Sequence, residues 1–255
     1  MRKMTRATFS AKQNKLNLTL PTCWGELSQD ELCMVLRCKA RNEEAWRQRL
    51  AVLLHLTGLK FIRRAGRHWV CSVPTHEQKT QRFNLDPELL PSILENLQWL
   101  DEPGGHPVRP DRLRGVTALP STLHGVAFGT YLQCENCYQG ILQSQSEAAV
   151  AHLASLLYPG MKGRLEMWEQ LGVIQWWAQV KTMFSAQWPN FFKPGDGGSA
   201  AVMVDVMNNQ IRALTGGDVT KEEEILHIDT WRALTELDAK AKEADEFNQK
   251  MKKKK

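Results

Sequence analysis

The pair Cys134-x-x-Cys137 has the spacing of a metal or redox site. Two thiols at this spacing can bind zinc or form a redox disulfide. A structural zinc site needs four ligands, but Cys33 and Cys38 are five residues apart and no histidine pair has a suitable spacing. A redox pair begins a helix, whereas the apolar pattern places Cys134 within one. We therefore interpret the pair as core residues and keep a zinc site at Cys134 and Cys137 as an alternative.

Other residues that could do chemistry lack the partners that chemistry requires. The stretch Gly195-Asp196-Gly197-Gly198-Ser199 precedes a predicted helix but lacks the lysine and spacing of a phosphate-binding loop, so we predict a hinge whose serine caps that helix. His227 and Asp229 are two residues apart on a predicted helix and point to different faces. No nucleophile-elbow, zinc-protease or kinase motif occurs. We predict a chain that is not an enzyme and uses no cofactor or metal.

Positive charge is concentrated at the two ends of the chain. Residues 1–16 carry five cations without an acid, and residues 250–255 carry five more. Removing these ten from the 33 cations leaves 23 against 28 acids, so the body of the chain is acidic although the net charge is +5. Short cationic ends are usually solvated. We therefore do not expect a nucleic acid as the main partner.

Composition places the chain among folded globular proteins. Hydrophobic residues make up 42% of its 255 residues and charged residues 24%. No apolar run reaches the roughly 18 residues of a membrane span. Six cysteines without a secretory signal indicate reduced thiols. We predict a soluble, cytosolic protein.

Local signals in the first hundred residues predict helices around one small β-hairpin. Ser28 and Glu31 match a capping box, which starts a helix. β-Favouring residues on both sides of a glycine turn predict a hairpin over about residues 59–73. Asp86 followed by Pro87 predicts the start of another helix.

The second half of the chain has helical periodicity throughout. Residues 101–126 contain four prolines and four glycines, which indicates a linker or a long surface loop. Apolar spacings predict helices from there to Gly216-Gly217. The box Thr220-x-x-Glu223 then predicts a single long helix that projects or pairs with a partner.

The predicted fold class is mainly α, a helical bundle-like core with one small β-hairpin and a long C-terminal helix. We predict five segments. The first three are a basic N-terminal tail (1–16), an N-terminal helical domain with the hairpin (17–100) and a linker or long loop (101–126). The last two are a C-terminal helical domain (127–217) and a projecting charged helix with a basic end (218–255).

Aromatic and apolar residues are the candidates for contact with a partner. Most of them share stripes with Leu and Ile and are interpreted as core, but four lie beside Pro or Gly outside regular helices: Trp24, Trp188, Phe191 and Phe192. On the C-terminal helix, the first predicted contacts are Trp231, Leu234 and Leu237. The alternative is that these three only fasten the helix to its own domain.

Three phrases resemble a group of prophage-encoded proteins of gut-type bacteria, from the gene block for tail structure and assembly. They are Leu20-Pro21 with Trp24-Gly25-Glu26-Leu27-Ser28, Phe128-Gly129-Thr130-Tyr131-Leu132, and the stretch 207–247. The group has no catalytic residues to carry over. The resemblance implies a tail component or a chaperone that binds the tape-measure protein before the tail tube polymerises. It also implies a protein of the bacterial host cytoplasm that could enter the virion.

The function expected from the sequence is therefore a non-enzymatic protein interaction in phage tail assembly, as an assembly chaperone or an accessory structural component. The expected partner is a protein such as the tape-measure protein. Two alternatives stay open: a nucleic-acid-binding regulator that uses basic terminal arms, and the zinc protein. The oligomeric state does not follow from the sequence.

Overall fold

The structure is a computed structural model that describes residues 5–11, 14–41, 43–74, 79–193 and 200–253. The chain is mainly helical, as predicted, and divides into two compact units, Met1–Gly104 (unit 1) and Gly105–Lys255 (unit 2). In the described part of the chain, no helix combines the length and apolar character needed to span a bilayer. The predicted glycine hinge and its capping serine lie outside the described residues.

Unit 1 combines two strand groups with short helices. Its elements in chain order are β1 (Thr5–Ala11), β2 (Asn14–Leu20), α1 (Gln29–Lys39), α2 (Ala45–Thr57), β3 (Lys60–Ala65), β4 (His68–Pro74), β5 (Thr80–Leu85) and α3 (Leu90–Glu95). β1 and β2 form an antiparallel pair, and β3, β4 and β5 form an antiparallel sheet in that order.

Helix starts in unit 1 follow the capping signals. The Ser28 hydroxyl accepts the Glu31 backbone N–H, and the Glu31 carboxylate accepts the Ser28 N–H at 2.7 Å, so the capping box of α1 is confirmed. The Asp86 carboxylate accepts the Glu88 N–H at 3.1 Å and starts a 3-10 turn that leads into α3. Gly58 ends α2 with φ of 66°, and an added Cβ there would lie 2.8 Å from Pro74.

Two predictions for unit 1 need correction. The hairpin predicted over residues 59–73 is present as β3 and β4, but β5 extends it to three strands. Phe83 and Leu85 of β5 alternate with polar residues and are buried, a strand pattern that the helix start at Asp86 obscured. The predicted basic tail 1–16 is also not a tail throughout, because β1 pairs with β2 from Thr5↔Leu20 to Ala11↔Asn14.

Unit 2 is a helical body with one very short strand pair. Its elements are β6 (Arg112–Leu113), β7 (Val116–Thr117), α4 (Phe128–Ser144), α5 (Glu147–Leu157), α6 (Met167–Gln187), α7 (Ala200–Thr215), α8 (Glu222–His227) and α9 (Thr230–Lys253). Helix α6 lies in the centre, with Trp176, Trp177 and Phe184 fully buried. A helix with large apolar residues on several faces needs neighbours on several sides, and α4, α5 and α9 supply buried residues to the same core.

Most of the predicted linker 101–126 packs into unit 2. The division between the units falls inside that segment, after Gly104. Beyond it, Leu113 and Leu123 are buried in the core of unit 2. The backbone carbonyl of Ser121 accepts the indole N–H of Trp176 at 2.8 Å, and the carbonyl of Pro110 accepts the Tyr158 hydroxyl at 2.8 Å. These hydrogen bonds hold the proline-rich stretch against the helices.

The C-terminal helix predicted as one element is two, α8 and α9. Ile228 between them has extended backbone, with φ of −67° and ψ of 159°. The carboxylate of Asp229 accepts the N–H of Trp231 at 2.9 Å, so Asp229 provides the cap that starts α9. The predicted cap at Thr220 is also replaced, because Asp218 accepts the Thr220 N–H at 3.1 Å and precedes a 3-10 turn. Aspartates are strong caps, and each ends one helical run and begins the next.

Candidate functional site

Trp24, a predicted contact residue, lies in the interior of unit 1. Its side chain is 2% exposed, and its indole N–H donates to the carbonyl of Glu102 at 2.8 Å. It also packs edge-to-face on Trp99 with ring centroids 5.4 Å apart. A Trp that is buried and hydrogen-bonded in this way stabilises its own unit.

The predicted contact residues Trp188, Phe191, Phe192 and Trp231 come together in unit 2. Trp188 is buried and packs edge-to-face on Trp231 with centroids 5.0 Å apart. Trp231 is half-buried, stacks on His124 at 3.9 Å and donates its indole N–H to the Thr122 carbonyl at 2.7 Å.

The phenylalanines complete this aromatic group. Phe191 and Phe192 pack edge-to-face with centroids 4.8 Å apart and lie half-buried against the core of unit 2. Their place follows from α6, which ends at Trp188, where the backbone turns so that the N–H of Phe192 donates to the carbonyl of Trp188 at 3.1 Å. The group packs within unit 2 and connects the end of α6 to the start of α9.

Leu234 and Leu237, the other predicted contacts, are buried in the core of unit 2. Leu234 has no exposed surface and Leu237 is 4% exposed. The beginning of α9 is therefore packed against its own unit, which is the fastening role that the sequence left as the alternative. Leu234 and Leu237 offer no surface to a partner in this arrangement, so a contact surface has to be sought further along α9.

Asp238 joins the middle of α9 to the segment after α6. Its carboxylate accepts the Asn190 backbone N–H at 2.8 Å, the Asn190 amide at 2.9 Å and the Phe191 backbone N–H at 2.9 Å. Burial alone raises the pKa of Asp238, but these hydrogen bonds and the charge of Lys193 outweigh burial and hold its pKa below the ordinary value. About two turns further along α9, Asp245 forms an ion pair with Lys193.

The lowered pKa of Asp238 predicts a pH-dependent contribution to stability. A carboxylate with a depressed folded-state pKa stabilises the fold fully above its unfolded-state pKa, and the contribution is lost as the pH falls through the folded-state pKa. We expect Asp238→Asn to lower the free energy of unfolding at neutral pH. The difference from the wild type should shrink as the pH falls below the ordinary carboxylate range.

Chemical denaturation of both proteins across the acidic range measures this difference. The matched control is Glu236→Gln, an exposed carboxylate on the same helix, which should run parallel to the wild type at every pH. A gap between Asp238→Asn and the wild type that stays constant on acidification would contradict the role of the charge.

Beyond Asp245, α9 continues as an exposed helix that still carries apolar residues. We call Glu246–Lys253 the distal segment. Phe247 is 64% exposed and Met251 is 49% exposed, and their spacing of four residues places them on one helix face. Leu237, Ala244 and Met251 recur every seven residues, so this face continues the buried stripe of the first half of α9. Lys250 and Lys252 flank it with positive charge.

Cys134 and Cys137 lie on α4 in surroundings that disfavour a thiolate. Burial raises the pKa of both thiols, most strongly that of Cys134. Metal ligation and disulfide exchange both need the thiolate form. Among the described residues, no group of three or more His, Cys, Asp or Glu side chains is placed to hold a metal ion.

Two buried carboxylates of unit 2 are occupied by structural partners. The Glu135 carboxylate accepts the Trp177 indole N–H at 3.2 Å and the Gln139 amide at 2.8 Å, and it forms an ion pair with Lys181. The Glu169 carboxylate accepts two hydrogen bonds from Arg114, at 3.2 and 2.8 Å. The Glu135 contacts join α4 to α6, and the Glu169 contacts join the turn between β6 and β7 to α6.

An open groove of about 480 Å³ runs beside α8 and is lined by Thr220, Glu223, Glu224, His227 and Ile228. Its one histidine contacts the Glu223 carbonyl through Nδ1 at 2.7 Å. The groove is shallow and its carboxylates belong to the exposed face of a short helix.

Comparisons of the chain with models of protein families, with curated proteins and with solved structures found no match.

Proposed function

We propose that the protein is a non-enzymatic, protein-binding component of phage tail assembly, either an assembly chaperone or an accessory structural part. The observation that carries the proposal is the distal segment of α9, where Phe247 and Met251 are exposed on a helix whose first half is anchored in unit 2. An anchored helix that extends an apolar stripe into solvent suits docking against another helix. The resemblance of the stretch 207–247 to tail-assembly proteins supplies the biological setting.

The partner suited to this segment is an amphipathic helix. Phe247 and Met251 offer large and adaptable apolar contacts, and methionine is common on surfaces that accept several helical partners. Lys250 and Lys252 favour a partner with acidic residues beside its apolar stripe. We propose the tape-measure protein of the same tail gene block as that partner.

The test is co-purification of the protein with its tape-measure protein after co-expression. We expect Phe247→Glu/Met251→Glu to reduce the amount of bound tape-measure protein at least tenfold, because two charges replace the apolar contact. The matched control is Leu89→Glu/Leu142→Glu, two apolar residues that are 38% and 60% exposed elsewhere in the chain. Control binding should equal that of the wild type. Full binding by the distal variant would overturn the proposed contact.

Truncation provides a second test, and its position matters. Deletion from residue 220 onwards would remove Leu234 and Leu237 from the core of unit 2 and unfold it. Truncation after Asp245 keeps the buried half of α9 and its contacts with Asn190 and Lys193. We expect the truncated protein to keep its folded circular-dichroism spectrum and to lose binding.

A further inference from the structure

One face of the sheet in unit 1 carries only cationic, polar and small side chains. Cross-strand neighbours lie on the same face of a sheet. The register pairs Lys60 with Ser72 and Ser72 with Arg82, and the next row places Arg63, Val70 and Asn84 side by side. The opposite face carries the buried Cys71, Phe83 and Leu85, so the first face is directed away from the core.

The cations on this face are exposed and have no acidic neighbours within the sheet. Lys60, Arg63 and Arg82 are all exposed. Strands β3, β4 and β5 contain no Asp or Glu, and within the described part of the chain none of these three cations forms an ion pair. Arg67 is also exposed, in the turn between β3 and β4. These charges lie on a paired three-stranded sheet and its turn.

We propose that this face, which we call the basic sheet face, binds the phosphate backbone of a nucleic acid. Neighbouring strands lie about 4.8 Å apart, so Lys60 and Arg82 are held about 10 Å apart, with Arg63 about 7 Å further along the strands. Arginine and lysine at such spacings neutralise several phosphates at once. Asn84, which is exposed beside them, supplies a hydrogen-bonding group for phosphate or sugar oxygens.

The chemistry of the face favours nucleic acid over other anionic surfaces. A protein interface has a dry core of aromatic or aliphatic anchors, and a membrane surface site inserts apolar side chains. The paired rows of this face hold only half-buried Val70 and Ala65 as apolar residues, and Ile62, which is 47% exposed, is unpaired at the irregularity between Phe61 and Arg63. Binding that depends on charge and hydrogen bonds alone is typical of backbone contacts to nucleic acid.

The test is fluorescence anisotropy of the full-length protein with a labelled DNA duplex and with a labelled single strand, as a function of salt. We expect binding that weakens steeply with salt. The variant Lys60→Gln/Arg63→Gln/Arg82→Gln should bind at least tenfold more weakly at low salt. Its slope of log affinity against log salt should fall by about 3, because about three phosphate contacts are lost.

The matched control removes the same charge elsewhere. Arg112, Lys162 and Arg232 are exposed cations of unit 2, and their joint replacement by Gln should leave affinity within about twofold. Equal weakening by the control would show a net-charge effect and overturn the proposal. Binding to neither the duplex nor the single strand would overturn the proposal too. Competition by poly-glutamate at equal charge would also overturn it, because it would indicate that the partner of this face is an acidic protein. Unchanged circular-dichroism spectra establish that both variants are folded. The result is independent of tape-measure binding, which uses α9.

Discussion

We expect Leu234→Ala to lower the free energy of unfolding of the protein by about 2 to 5 kcal/mol, although it removes only three carbon atoms. Leu234 has no exposed surface and lies where the start of α9 packs into the core of unit 2. The substitution removes the favourable free energy of burying the leucine side chain, and it leaves a cavity in the closely packed core. Denaturant titration followed by tryptophan fluorescence measures the loss.

The control for this substitution is Leu142→Ala in the same unit. Leu142 is 60% exposed on α4, so its truncation should cost less than about 0.5 kcal/mol. Both substitutions replace leucine by alanine in a helix, and only burial differs. If Leu234→Ala were as mild as the control, the first half of α9 would not be fastened as the structure shows, and Leu234 would be free to contact a partner.

Glu169→Ala is expected to lower the free energy of unfolding by about 2 to 3 kcal/mol. The Glu169 side chain is 5% exposed and accepts two hydrogen bonds from Arg114. It also accepts the backbone N–H of Glu166 at 2.7 Å, which completes a capping box at the start of α6. The substitution removes the cap and leaves the guanidinium without its carboxylate.

Glu147→Ala is the matched control, because Glu147 forms an ion pair with Arg164 at 3.3 Å in which both side chains are more than half exposed. Exposed pairs contribute little, so we expect a loss of less than about 1 kcal/mol. Thermal and denaturant unfolding of the two variants should therefore separate clearly. Equal losses would show that the Glu169–Arg114 pair is no more important than a surface pair.

Most helices of this protein can be predicted from local sequence signals. Ser28 with Glu31 starts α1, Asp86 precedes the 3-10 turn before α3, and the apolar run from Met167 to Gln187 forms α6. Each signal works through hydrogen bonds or packing within a few residues of itself. Such elements need no knowledge of the rest of the chain.

The strands and the break before α9 depend on partners that are distant or ambiguous in sequence. The sequence of β5 is recognisable as a strand only once β4 is known to pair with it. In β2, Leu16, Leu18 and Leu20 alternate with polar residues, but the cationic residues of the N-terminal segment obscured this strand pattern. The chain straightens at Ile228 because its carbonyl accepts the Phe128 N–H at 2.9 Å, a hydrogen bond across 100 residues of sequence. Local periodicity cannot show such a contact.

The contact residues predicted on the C-terminal helix, Leu234 and Leu237, are buried in the core of unit 2, and the contact surface that we propose lies further along the same helix. The apolar stripe of the C-terminal helix runs through its buried first half and its exposed second half. Periodicity alone therefore does not distinguish the buried Leu234 from the exposed Met251. Trp231 packs inward because Phe184 and Trp188 lie against it, and Leu234 is buried in the same core. The sequence signal that distinguishes the two halves is composition, because after Ala239 the stripe continues with Ala241 and Ala244 before Phe247 and Met251, and charged residues become dense.

Hydrogen–deuterium exchange of the protein with and without the tape-measure protein is the most direct test that the distal segment binds. Amides of Glu246–Lys253 belong to an exposed helix end and should exchange quickly in the free protein. The account predicts strong protection of this segment in the complex, with amides of the first half of α9 already protected in both states. Unchanged exchange in the distal segment, with new protection elsewhere or nowhere, would contradict it.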